Sequence, residues 1–137
     1  MGTDNIKYIG INLLTNLLTS PRSAKKLSNH RIFPKIISYL RHQHHVIYIL
    51  TQHIRQESYH CLVTVLQHLP SEEIGILLQH FKILPVAIHQ LTQINYSNIT
   101  IEEYIITMLK IYVQANSKSN SSFNSAVVLL ENNYGLG

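Results

Sequence analysis

RIFPKIISYL at residues 31–40 and KILPVAIHQL at residues 82–91 are one motif written twice. Aligned without a gap, Ile32 meets Ile83, Pro34 meets Pro85, Ile37 meets Ile88 and Leu40 meets Leu91. In each copy a proline stands at the head of an apolar run with helical spacing. Proline is tolerated in the first turn of a helix, because the amide it lacks has no intrahelical partner there. Pro34 and Pro85 therefore predict helix starts. Phe33, Ile36, Ile37 and Leu40 fall on one stripe, and Leu84, Ala87, Ile88 and Leu91 repeat it. Lys35, Ser38, Tyr39 and His42 take the opposite side of the first helix, and Val86, His89, Gln90 and Gln93 that of the second. A repeated helix points to a stacked-helix scaffold.

Outward from the motif the same reading continues. Asp4 or Asn5 caps a helix near 5–19, with Ile6, Ile9, Leu13, Leu14 and Leu17 inward. Ser20-Pro21 ends it, and a short helix near 22–29 turns Ala24 and Leu27 inward and Arg22, Lys25 and Lys26 outward. Asn29-His30 makes the turn to the motif helix at 32–42, with Asn29 suited to a left-handed helix end. Helices follow near 45–55 and 57–69, then a stop and restart at Pro70-Ser71-Glu72-Glu73, with Ser71 as cap and two acids at the positive end of a helix near 71–81. The second motif helix covers 83–94 and a strong helix covers 100–115. Residues 117–125 read as a loop rich in Ser and Asn. Ala126 to Leu130 read as a short helix closed by Asn133 or Gly135, with a β-strand as the rival.

The chain has 137 residues, of which 45% are hydrophobic and 13% charged, enough for one domain with a real core. No apolar run reaches the length of a membrane span, and the first residues lack a signal-peptide pattern. The single Cys61 excludes an internal disulfide framework. An intracellular protein, cytoplasmic or nuclear, is expected. Charge is unevenly placed: residues 1–55 hold eight Lys and Arg against Asp4, a net of +7, and residues 56–137 hold three against six Glu, a net of −3.

A long helix, a short helix, a turn and a proline-started amphipathic helix together resemble an armadillo-type repeat; a HEAT-type repeat or a helical bundle without repeats is the alternative. Ile32 to Ile37 match the family's apolar-Pro-apolar start of the third helix, although His30 and Phe81 stand where the family usually has glycine. The resemblance implies an all-α, right-handed superhelical stack of about two and a half repeats, near 5–42, 45–94 and 100–137. On this reading the chain ends in mid-repeat, as a fragment of a longer solenoid would. The family's peptide-gripping Trp/Asn ladder does not carry over, because the chain has no Trp.

No Gly-rich phosphate loop, HExxH or GxSxG motif is present, and no catalytic residue or cofactor is expected. His42, His44 and His45 lie close in sequence but lack the acid or cysteine companions of a zinc site, so they read as a polar junction and no metal is expected. Cys61 beside His60 is a poor nucleophile pair, because neighbours on a helix point about 100° apart; it reads as a buried apolar residue. The basic cluster carries the functional expectation. In such a stack the third helices line the concave face, so Lys35, Tyr39 and His42 would face a ligand with His89, Gln90 and Gln93 below them. Arg22, Lys25, Lys26 and Arg31 extend that surface. The expected partner is an acidic or amphipathic protein segment. Nucleic acid on the basic half and self-association through an uncapped end are the alternatives.

Overall fold

A computed structural model describes residues 2–41, 48–92 and 99–117. Seven helices make up the described residues: α1 (Gly2–Asn16), α2 (Pro21–Ser28), α3 (Phe33–Leu40), α4 (Tyr48–His68), α5 (Ser71–His80), α6 (Ile83–Leu91) and α7 (Ile99–Asn116). They contain no strand. The helix-or-strand reading of 126–130 and the histidines 42, 44 and 45 lie outside them.

The prolines behave as their chemistry dictates. Pro34 is the second residue of α3 and Pro85 the third of α6, where a missing amide costs no helical bond. Pro21 opens α2, whose cap is reciprocal: Ser23 N donates to Ser20 Oγ at 3.2 Å and Ser20 N donates to Ser23 Oγ at 3.1 Å. Three expected end signals fall elsewhere; α1 already runs from Gly2, so Asp4 and Asn5 lie inside it rather than at its cap. Pro70, not Ser71, precedes the first turn of α5 and makes no side-chain cap. Asn29 ends α2 in right-handed geometry, and the left-handed residue is Lys82, at φ 53° and ψ 43°, between α5 and α6.

α4 is the centre of the packing: α1, α2, α3 and α7 all lie against it. The break expected between 55 and 57 does not occur, and α4 runs through as one helix of 21 residues. Arg55, Glu57 and Ser58, at the expected break, are all buried. Glu57 Oε1 accepts from Asn12 Nδ2 at 3.0 Å and pairs with His60 Nδ1 at 3.2 Å, and Ser58 Oγ donates to the Ile54 carbonyl. Satisfied in this way, Glu57 and Ser58 need no helix end to reach water, whereas the Nε atom of Arg55 is buried without a hydrogen-bond partner.

The helices recur at a near-constant offset. α4 lies on α1, α7 on α4 and α6 on α3. α5 meets α2 through an ion pair, Lys25 Nζ to Glu73 Oε1 at 3.2 Å. Phe33, Ile36, Ile37, Leu40, Leu84, Ala87 and Ile88 are buried as their stripes predict, Leu91 is only partly buried, and Ile83, outside the predicted stripe, is buried with them.

α1 turns the other way from its expected face. Ile11, Thr15 and Leu18 are buried, and of the residues expected inward only Leu14 packs, partly buried, against the core, whereas Ile6, Ile9, Leu13 and Leu17 are exposed. Two apolar stripes run along this helix, and periodicity cannot say which one meets α4. Thr15 joins the buried stripe at little cost, because its hydroxyl donates to the Ile11 carbonyl at 2.8 Å.

Candidate functional site

The expected surface divides in two. On the motif-helix face two of the predicted residues, Tyr39 and Gln90, turn into the fold. Lys35 and His89 are exposed, but Tyr39 is buried. The Lys7 ammonium of α1 sits over its ring, 5.4 Å from the centroid. Tyr39 thus belongs to the α1–α3 contact, which no residue of the motif itself announces. Gln90 is also inward-directed: its Nε2 donates to the Leu40 carbonyl, and its Oε1 accepts from Tyr59 Oη at 2.5 Å. Both residues serve the fold rather than an open groove. His42 and Gln93 lie outside the described residues.

On the α2 side the basic residues do converge. α2 is amphipathic, with Ala24 and Leu27 buried, so Arg22, Lys25 and Lys26 stand outward. Its end and the turn into α3 face α5 across a cleft of about 460 Å³. One wall carries Lys25, Asn29, His30, Arg31 and Pro34; the other carries Glu73, Ile76, Leu77, His80 and Phe81. Phe81 packs edge-on against the buried Phe33, with ring centroids 5.4 Å apart, so the apolar end of the cleft is held by the core. Arg41 Nη2 donates to the Phe81 carbonyl at 2.8 Å and ties the same turn to α3.

The electrostatics are mixed but basic at the opening. Lys25, Arg31, His30 and His80 face one carboxylate among the lining residues, Glu73. Glu73 spends Oε1 on Lys25, while its Oε2 is buried without a protein partner. The sequence assigned Glu73 to dipole compensation in the first turn of α5, where it does stand; nothing local in the sequence announces its reach to α2. Lys26 and Arg22 are exposed on α2 but do not line the cleft.

A second polar group lies between α1, α4 and α7. The Glu57–His60 pair is flanked by Tyr104, whose ring stacks on His60 at 5.3 Å with an 11° interplanar angle. Burial raises the Tyr104 phenol, with Glu57 and Glu103 adding to the shift. Cys61 next door is fully buried, and burial pushes its thiol up to about 11 despite a hydrogen bond with Thr15. The thiol is protonated at neutral pH and carries none of the thiolate character that cysteine reactivity requires. Among the described residues no three His, Cys, Asp or Glu converge as metal ligands.

No single described helix is long and apolar enough to cross a membrane; α5 and α6 reach that apolarity only as a pair, bent by 78°. Comparisons with protein-family models, with curated proteins and with solved structures give no match to this chain.

Proposed function

We propose that this chain is a non-enzymatic interaction scaffold of armadillo-like repeats, which holds an acidic segment of a partner protein in the cleft between α2 and α5. The stacking of α4 on α1, α7 on α4 and α6 on α3 supports the repeat reading. The observation that carries the function is the cleft itself: cationic groups of Lys25 and Arg31 stand beside an apolar wall of Ile76 and Phe81. A carboxylate of the segment pairs with Arg31 and shares Lys25 with Glu73, and an adjoining apolar side chain lies on Ile76, which is 68% exposed. The site is thus displaced from the motif-helix face to the neighbouring turn. Lys35, on the following helix, extends the positive potential that steers an acidic partner.

The test is capture from cell extract by the wild-type chain and by a Lys25→Glu/Arg31→Glu variant. Both residues are exposed, so the variant keeps the helical spectrum; losing the Lys25–Glu73 pair lowers the thermal midpoint, and a Lys25→Gln/Arg31→Gln variant, which adds no carboxylate beside Glu73, controls for that loss. The expected result is an acidic protein retained by the wild type and lost from the variant, with affinity for its purified segment weakened about tenfold or more. Identical captures would refute the cleft, and capture that vanishes on nuclease treatment would transfer the basic surface to nucleic acid.

A further inference from the structure

α1 carries an apolar seam that the fold leaves uncovered. Ile6, Leu13 and Leu17 are 69%, 59% and 69% exposed, and Ile9 beside them is 54% exposed. Ile6, Gly10, Leu13 and Leu17 follow the alternating four-and-three spacing of a coiled-coil seam, Leu17 standing one residue past the end of α1 with its amide still bonded to the Leu13 carbonyl at 3.2 Å. Other side chains along α1 from residue 7 onward are engaged within the chain. Lys7 covers Tyr39, Tyr8 lies against His53, Asn12 bonds Glu57, and Ile11, Thr15 and Leu18 are buried.

We propose that this seam binds a second copy of the chain, α1 against α1, antiparallel about a two-fold axis between residues 11 and 12. The argument is the seam's match to its own reverse. Rotation about that point sets Ile6 opposite the second copy's Leu17, and Leu13 opposite the second copy's Gly10. These are the layers of an antiparallel coiled coil, with the large Leu13 entering the hole above a glycine. Gly10 supports the register independently. A Cβ there meets nothing within 4 Å, so packing inside the chain gives no reason for a glycine that weakens the helix. The seam contains no charged residue, so an acidic or basic segment finds nothing to pair with, whereas a second copy buries no charge. The four side chains expose on the order of 500 Å², a large patch for a monomer. Two copies close about 1,000 Å², the lower end for specific association. The dimer is therefore weak and concentration-dependent. It uses none of the cleft residues, so it stands or falls apart from the proposed function.

The test is sedimentation equilibrium of the full chain from about 5 to 500 µM. The wild type is expected to pass from monomer to dimer in that range. Gly10→Leu fills the hole and weakens the dimer about tenfold or more, with the helical signal kept or slightly raised, because the position is open and leucine favours the helix. Leu13→Glu, at an exposed site, weakens it further. Gly10→Leu/Leu13→Ala exchanges knob and hole and restores association toward the wild-type level, which a general loss of apolar area would not do. A wild type that stays monomeric throughout, single variants that dimerise as the wild type does, or an exchange that fails to restore association would each overturn the proposal.

Discussion

Gln90 joins three helices with one amide, because Leu40 ends α3, Tyr59 lies in α4, and Gln90 itself lies in α6. Tyr59 is fully buried, and burial raises its phenol above the ordinary range, against a smaller lowering by Arg55. A buried hydroxyl that loses its acceptor costs the full desolvation of the group. Gln90→Leu is therefore expected to lower unfolding free energy by about 1–3 kcal/mol, since it strands both Tyr59 Oη and the Leu40 carbonyl. Adding Tyr59→Phe removes one of the stranded groups, so the double variant should lose less than the two single losses added together. Urea melts of the four proteins give the coupling directly; strictly additive losses would mean that the bond contributes nothing. Gln90 occupies an outer position by helical periodicity, and its amide reaches inward only because α3 and α4 present a carbonyl and a hydroxyl to it. Such a role depends on partners 31 and 50 residues away and is not written in the local pattern.

At the scale of the element, the connection between α5 and α6 stores a local cost. Lys82 takes left-handed geometry, which for a residue with a Cβ is disfavoured by about 1–2 kcal/mol. Its side chain is exposed, so little is lost by removing it. Lys82→Gly is expected to raise stability by about 1 kcal/mol, less the greater entropy of an unfolded glycine, while Lys82→Ala should bring no gain. Thermal or urea melts of the two variants separate these outcomes, and a destabilised glycine variant would show that the turn is not strained. The same junction shows what a helix pattern can disclose. Pro34, Pro85 and the Phe33–Leu40 and Leu84–Ile88 stripes foretell α3 and α6 because capping and amphipathicity are local. The continuity of α4 across Arg55 and Glu57 is not foretold, since it rests on Asn12 from α1 and on His60. Nor is the orientation of α1, where two stripes of similar apolarity compete and only the shape of α4 decides between them. The cleft follows the same rule: Arg22, Lys25, Lys26 and Arg31 are visible as a basic cluster, but Ile76, His80 and Phe81 join Lys25 and Arg31 only through the packing of α5 beside α2.

For the whole molecule, these long-range contacts set how the protein responds to pH. Its core encloses two acids that ionise only in alkali, Cys61 and Tyr59 in α4, and Tyr104 of α7 packs partly buried against that core. All three are raised by burial as the leading cause. Below pH 9 the Cys61 thiol is protonated in both the folded and the unfolded chain, and its burial makes no difference to the pH dependence. Between its ordinary value of 9.0 and its folded value of about 11, the unfolded chain releases a proton that the folded chain retains. Unfolding is then favoured as pH rises, and this one group withdraws about 2–3 kcal/mol over that window. The raised tyrosines add losses of the same sign above pH 10, where unfolded phenols begin to ionise. Urea melts from pH 7 to 11 are expected to show a plateau to about pH 9 and a steep fall beyond it. Cys61→Ala lowers the plateau through the small cavity it leaves, but it should flatten the first part of the fall, between pH 9 and 10, where the tyrosines do not yet contribute. A wild-type profile that stays level to pH 11, or a variant that falls as steeply over pH 9–10, would show that the thiol reaches solvent in the folded chain and that α1 does not seal α4 at Thr15.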